Sequence, residues 1–435
     1  MTKPTAPVST IATQAPPRGA ILVSVQRHGL PEHEGDVSLR ELAHLLSSLG
    51  IPTHARLIQR RQEVSSALML GTGKLKELTE LIEAHTPQVL DAERPFVVFD
   101  GELTPGQQRN LSQALEAEVF DRTEVILRIF ARRAQTKTAK LEVELARLNY
   151  EAPRVRDDSA LDAQEGGGGR GGKGTSNLQI RKQLIRQRVA QVKQDLERET
   201  SQRQTRRSRR EETPVVALVG YTNAGKSSLM KSLTGADAYV EDQLFATLGT
   251  LVRAIPDSTP RTLVADTVGF IRNLPNHLLA SFRTTLDEAL DADLLLHVVD
   301  AADPEWRTQM QVTTTVLAEV DAGNIPTLVA FNKIDRVTPE AREELLAEFP
   351  GALAISAHAP ADVLRLRAAL VAFFEAGYAE AVLEIPFARG ELIGEIHAQA
   401  RVLSQSYTAD GSVLNVRAHA NLLEGWRLRL AQERA

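Results

Sequence analysis

The sequence predicts an α/β protein built around one phosphate-binding unit. A smaller α/β subdomain with a long helical hairpin precedes that unit, and a small α+β unit follows it. Three observations carry this prediction. An apolar run, residues 214–219, leads directly into Gly220-Tyr221-Thr222-Asn223-Ala224-Gly225-Lys226-Ser227. Downstream, further short apolar runs each end in a polar cluster of defined chemistry. Between residues 122 and 212 the pattern changes to long amphipathic stretches around a glycine-rich joint.

The first observation is a buried strand running into Gly-x-x-x-x-Gly-Lys-Ser and then a helix. In that arrangement the glycines let backbone N–H groups converge on phosphate oxygens, and the helix N-terminus adds positive potential. Lys226 is placed to reach the β and γ phosphates and Ser227 to hold Mg²⁺. A glycine-rich αL connector is the plain alternative, and the segments downstream argue against it. Thr262-Leu263-Val264-Ala265 ends in Asp266-Thr267-Val268-Gly269, whose carboxylate can bind Mg²⁺ through water and whose glycine N–H can meet a γ phosphate. The strand 327–331 ends in Asn332-Lys333-Ile334-Asp335. A carboxylate at Asp335 accepts from the N1–H and 2-amino group that guanine offers side by side; adenine would leave it unpaired. Ser356-Ala357-His358, after the strand 352–355, suits a backbone N–H donor to guanine O6. Order and spacing are those of a guanine-nucleotide switch.

A length of 435 residues allows two or three domains. The net charge of -5 is mildly acidic, and with no cysteine there is neither a disulfide framework nor a thiolate metal site, which suits a cytoplasmic protein. Residues 1–18 are rich in Pro, Thr, Ser and Ala and read as a disordered tail; no apolar run approaches the ~18 residues of a membrane span.

Residues 19–121 read as the α/β subdomain. Ile21-Leu22-Val23-Ser24-Val25 and Phe96-Val97-Val98-Phe99 are strands. Ser38-Leu39-Arg40-Glu41 has the spacing of a capping box opening a helix that closes at Gly50, and Thr104-Pro105 starts a helix through Leu115. Gly71-Thr72-Gly73-Lys74 lacks the spacing of a phosphate loop and reads as a helix-entry turn. Residues 122–212 form the hairpin: one helical stretch ends near Pro153, a second starts near Leu178, and the joint contains four consecutive glycines, 166–169. From Arg170 to Glu212 there are 13 Lys and Arg against 5 Asp and Glu, an excess of 8. Aromatic residues are scarce there. The backbone of structured RNA is therefore the expected partner rather than DNA or stacked single strands, the plain alternative being a solvated helix face. The nucleotide-binding region spans 213–377, and residues 378–435 read as a β-α-β-β unit with a turn at Asp410-Gly411.

Several segments together resemble the HflX family of ribosome-associated GTPases: Gly71 to Leu75, Glu102 to Leu111, Phe130 to Ala134, Lys140 to Ala146, Gly220 to Ser227, Phe245-Ala246-Thr247-Leu248 and Asp266 to Pro275. The resemblance covers nearly the whole chain. It implies GTP and GDP binding with Mg²⁺, GTP hydrolysis, a hairpin whose loop enters the large ribosomal subunit, and the splitting or rescue of stalled ribosomes. It also implies that Thr247 supplies a switch hydroxyl to the metal, with Lys226, Asp266 and Gly269 in the catalytic set and Phe245 to Gly249 along the nucleotide. Asn223 is a candidate ligand for K⁺, because GTPases that recruit this ion resemble the loop in carrying Asn there; a residue tolerant of αL geometry is the alternative. The chain departs from the family pattern at Gly172-Lys173-Gly174-Thr175-Ser176 and at Gly249-Thr250-Leu251. A non-catalytic RNA-binding or ribosome-assembly module holding GTP as a structural ligand is the other reading.

Overall fold

The computed structural model describes residues 18–27, 29, 31–62, 68–87, 93–155, 173–207, 213–235, 251–258, 261–273, 275, 278 and 292–431. The chain divides into two compact units, residues 1–129 and 130–435.

In the first unit, β1 (Ala20–Arg27), β2 (Thr53–Arg61), β3 (Phe96–Phe99) and β4 (Val119–Asp121) form a parallel sheet in the order β2-β1-β3-β4. Helices α1 (Glu32–Ser48), α2 (Thr72–Ala84) and α3 (Pro105–Leu115) connect them. Ile21, Val23, Val97 and Phe99 bury one face against Leu78, Ile82, Leu111 and Leu115 of α2 and α3. The expected helix from Thr104-Pro105 to Leu115 is formed, and Thr104 makes a capping box with Gln107 as its return partner. Gly71 is the N-cap of α2 and its N–H donates to Gln59 Oε1 at 3.0 Å, so this glycine-rich stretch enters a helix as expected.

Ser38-Leu39-Arg40-Glu41 is a correction. Helix α1 starts six residues earlier, after Pro31, without a side-chain cap, and Ser38 lies within it. Residues three apart share a helix face, and here that face meets Arg122: its guanidinium donates to Ser38 Oγ (3.4 Å), Asp100 Oδ1 (2.6 Å) and Glu41 Oε2. Burial alone would lower the Arg122 pKa, but Glu41 and Asp100 hold it above its ordinary value.

The expected single helical stretch from residue 122 to Pro153 is two helices. Helix α4 (Arg122–Arg133) stops, and α5 (Lys137–Glu151) starts afresh at Thr136, whose hydroxyl accepts the Ala139 N–H at 3.1 Å. Helix α6 (Lys173–Arg207) begins five residues before the expected start. Leu145 packs with Val192 and Leu196, and Arg188–Glu144 and Lys137–Glu199 pairs flank this seam, as a hairpin requires. The glycine run, Arg170, Arg209 and Arg210 lie outside the described residues, as do most of the expected tail and Phe245 to Gly249.

The nucleotide-binding region is a six-stranded sheet. Strands β5 (Val215–Val219), β6 (Leu251–Ala254), β7 (Leu263–Asp266), β8 (Leu294–Asp300), β9 (Thr327–Asn332) and β10 (Leu353–Ala354) lie in the order β10-β9-β8-β5-β7-β6, with only β6 antiparallel to its neighbour. Helix α7 (Lys226–Thr234) follows β5; α8 (Trp306–Glu319), α9 (Pro339–Glu348) and α10 (Pro360–Glu375) follow β8, β9 and β10. Strand β8 is buried on both faces, as a central parallel strand must be: Leu294, Leu296 and Val298 pack toward α7 and α10, Val299 toward Trp306 and Phe331. The last element group is β11 (Tyr378–Pro386), α11 (Gly390–Gln399), β12 (Arg401–Tyr407) and β13 (Gly411–His419), an antiparallel sheet in the order β11-β13-β12. Helix α12 (Ala420–Ala431), which the sequence reading lacked, closes its core through Leu423 and Trp426. Among the described residues no helix is long and apolar enough to cross a membrane.

Candidate functional site

The strands β5, β7, β8 and β9 are parallel, and their carboxyl ends carry Gly220, Asp266, Asp300 and Asn332. Ligands of open α/β sheets bind along such an edge. The turn after β5 places Gly225 at φ +94°, and a Cβ there would lie 2.2 Å from Asn332 Nδ2. Only glycine allows this approach. The approach lets Asn332 link two motifs: its Nδ2 donates to Ala224 O at 2.8 Å, and its Oδ1 accepts the Ala357 N–H at 3.0 Å. Lys333, also left-handed at φ +59°, sends Nζ to Asn223 O (2.8 Å) and Asp300 Oδ2 (2.7 Å). Residues 223–225, 332–333 and 357 are thus one hydrogen-bonded body, although the first group lies more than 100 positions before the other two in sequence.

At the other side of the turn, Lys226 Nζ donates to Gly220 O (2.9 Å) and Tyr221 O (2.7 Å). Burial pushes its pKa down to about 8, an effect that Asp266 partly offsets. Ser227 Oγ donates to Asp266 Oδ2 at 3.0 Å, and Thr267 Oγ1 donates to Leu218 O at 2.6 Å, fixing the end of β7 beside β5. Gly269 comes close enough that a Cβ on it would lie 3.0 Å from Lys226 Nζ. Asn223 sits at φ +61°, so its backbone is the αL turn that the sequence reading held as the alternative to an ion ligand. Ile334 is buried, whereas Asp335 is exposed and held below the usual carboxylate range, first by a hydrogen bond from Ser356.

Sequence reasoning missed the groups that hold this frame. Asp362 Oδ2 accepts the Ser356 N–H at 2.8 Å, and Arg365 ties Asp362 to Ala354 O. Ser232 Oγ donates to Ala357 O at 2.7 Å from α7. An acidic residue just after Pro360 is a legible helix-start signal; nothing local to Ser232 points to Ala357.

Three family models match in succession. They are described as the GTP-binding GTPase N-terminal region (residues 36–131), the GTP-binding GTPase middle region (133–210) and a 50S ribosome-binding GTPase (215–333). The chain is 46% identical over 439 residues to GTPase HflX of Gluconacetobacter diazotrophicus, covering 93% of this chain and 96% of that protein. The chain belongs to the HflX family of GTPases. Its likeness to GTPase HflX of Escherichia coli is 40% over 404 residues, covering 91% of this chain and 92% of the relative. A solved GTP-binding protein of Sulfolobus solfataricus in complex with GDP aligns at 24% identity with a TM-score of 0.41, over 82% of this chain and 99% of that one. As an HflX-family chain, it joins the nucleotide-binding sheet to the two preceding regions that the matched models describe.

Proposed function

We propose that this HflX-family GTPase binds GTP with Mg²⁺, hydrolyses it to GDP and phosphate, and acts on the large ribosomal subunit to split or rescue stalled ribosomes. The observation that carries the nucleotide assignment is Asn332, whose amide joins the phosphate loop at Ala224 to the segment containing Ala357. Asp335 lies three residues further along, its carboxylate exposed and ionised, ready to accept guanine N1–H and the 2-amino group. Ser356, Ala357 and His358 border the position for guanine O6. Backbone N–H groups of residues 223–227 and the N-terminus of α7 receive the β and γ phosphates, with Lys226 and the Gly269 N–H on the terminal one.

The Ser227 hydroxyl and the Asp266 carboxylate, 3.0 Å apart, are hard oxygen donors that suit Mg²⁺ together with nucleotide oxygens and water. Ser227 would bind the ion directly and Asp266 through water. When bound, Mg²⁺ neutralises charge on the β and γ phosphates as the bond breaks. Thr247 is the proposed second hydroxyl ligand and lies outside the described residues. Asn223 is the proposed ligand of K⁺, which would offset phosphate charge in the same way.

Phe270 follows Gly269, where many switches carry a water-orienting Gln; its ring is 2% exposed. It is a core anchor and cannot orient water by a hydrogen bond. Slow turnover by the free chain and acceleration by the partner follow from this. The ribosomal assignment is supported by the description of the model matching residues 215–333 and by the basic excess between Arg170 and Glu212. Phosphate release measured with GTP and ATP, with and without large subunits, in KCl and in NaCl at matched ionic strength, tests base choice, hydrolysis, stimulation by the subunit and the K⁺ role. Release from GTP alone, raised by large subunits and by K⁺, is the expected outcome. Stoichiometric GTP binding with no turnover under any condition would favour the non-catalytic RNA-binding module.

A further inference from the structure

The segment after Gly269 is bound to the phosphate loop. Phe270 forms a parallel bridge with Tyr221: the Thr222 N–H donates to Phe270 O at 2.8 Å and the Phe270 N–H to Gly220 O at 3.2 Å. Two residues later the Arg272 N–H donates to the Tyr221 phenolic oxygen at 2.7 Å. The Arg272 guanidinium then reaches Glu305 Oε2 at 2.6 Å, with the two side chains 13% and 27% exposed. Glu305 occupies the N-cap position of α8, without a side-chain cap bond, and is itself fixed, its N–H donating to Asp303 Oδ1 at 2.9 Å. A chain of contacts thus runs from the loop after β8, through Arg272, to a tyrosine inside the phosphate loop.

Position 221 needs only its backbone to cradle phosphate, and its side chain, in a residue 6% exposed, does not face a ligand in water. An aromatic ring with a hydroxyl at its far end spans the distance from the loop to the main chain at 272. Gly269 immediately precedes Phe270, the first of the residues anchored to the loop. A Cβ on it would lie 2.8 Å from Thr222 Cγ2 and 2.9 Å from Thr222 Cα, so its backbone packs directly against the loop and leaves no room for a side chain.

We propose that Tyr221, Arg272 and Glu305 form a latch that positions the Gly269 N–H for the terminal phosphate of GTP. The proposal rests on the nucleotide assignment above and adds three positioning side chains to it. Phe270 supplies no polar group, so donor placement by the latch carries a correspondingly larger share of transition-state stabilisation. The latch acts only where a terminal phosphate is present, because GDP has no group for the Gly269 N–H to meet.

The test uses the full chain with Tyr221→Phe, which keeps the ring and removes the hydroxyl. Affinities for GDP and for a non-hydrolysable GTP analogue are measured together with single-turnover hydrolysis in the presence of large subunits. Removing one buried hydrogen bond predicts a loss of roughly tenfold in analogue affinity and in rate, with GDP affinity within about twofold of the parent. Glu305→Gln, outside the phosphate loop, should move the same two quantities in the same direction and by less. The double exchange Arg272→Glu with Glu305→Arg should recover part of what each single change loses. GDP and analogue affinities falling together would make Tyr221 a general support of the loop and overturn the latch, as would no change in either. If Tyr221→Phe does not fold, the Glu305→Gln comparison decides alone. Failure of the parent chain to bind GDP would instead overturn the nucleotide assignment.

Discussion

At the proposed base site, Asp335 is an exposed carboxylate held below its usual range first by a hydrogen bond from Ser356, and guanine selection there would depend on which groups accept and which donate. Asp335→Asn replaces an acceptor pair with one acceptor and one donor, which matches a base whose 2-position is a keto oxygen. Competition binding should therefore show preference moving from GTP toward xanthosine triphosphate, and unchanged discrimination would remove Asp335 from the base site. Such residues are legible in sequence because their chemistry is local to a tetrapeptide. His297 is not. It lies on β8 beside Val219, 3% exposed, and burial, aided by the charge of Lys226, pushes its pKa down to about 4. The unfolded chain protonates it near 6.5 and so binds more protons between these values. Stability is thus complete above about pH 6.5 and is lost as pH falls toward 4, by roughly 1 kcal/mol at pH 5.5. His297→Gln should flatten this acid loss. The two tryptophans allow the measurement: with Trp426→Phe, the remaining Trp306, packed against Phe331 and Phe349, reports urea unfolding of the nucleotide-binding region.

At the scale of elements, the sequence pattern predicted what was periodic and apolar and failed where tertiary contacts overrode it. Strands β1, β3, β5, β8 and β9 were readable from their Val, Ile, Leu and Phe content. Strand β2 was not, because it is an edge strand in which Leu57 is buried while much of Thr53–Arg61 is polar and partly open. The break between α4 and α5 had a signal in Thr136, an N-cap residue set inside an otherwise continuous helical pattern. Ser38 and Glu41 carried a real signal, that of residues sharing a helix face; which guanidinium would meet that face, 81 positions away from Glu41, is a property of the sheet topology. The Arg122 group gives an element-scale prediction. Arg122→Met removes the charge that Arg122 supplies to Glu41 and Asp100, and breaking a buried pair by removing one partner destabilises by roughly 3–5 kcal/mol. Adding Glu41→Gln and Asp100→Asn should recover part of that loss in urea unfolding of the full chain, because the remaining groups no longer carry buried charge.

At the scale of the whole molecule, charge is divided along the chain. The segment from Arg170 to Glu212 carries an excess of 8 positive charges on a chain of net -5, which leaves -13 for the rest. A uniformly acidic protein would be repelled by a phosphate backbone at every approach. Here the repulsion would belong to the remainder, and α6 with its flanking residues carries the sign of charge that the proposed RNA partner would attract. The cluster Arg203, Arg206, Arg207, Arg209 and Arg210 comes at the end of this stretch with no Asp or Glu between its first and last member in the sequence. Replacing Arg206, Arg207, Arg209 and Arg210 by Gln should weaken binding to large subunits and lower the slope of log affinity against log salt by roughly 3, since each neutralised phosphate releases a little under one counterion. GDP affinity should stay nearly unchanged, because the hydrogen bonds that assemble the nucleotide frame come from β5, β7, β8, β9 and the loops that follow them. Co-sedimentation with large subunits at several salt concentrations, run beside GDP binding on the same preparations, separates the two effects. An unaltered slope would assign these arginines to a solvated helix end and move the electrostatic contact elsewhere in the chain.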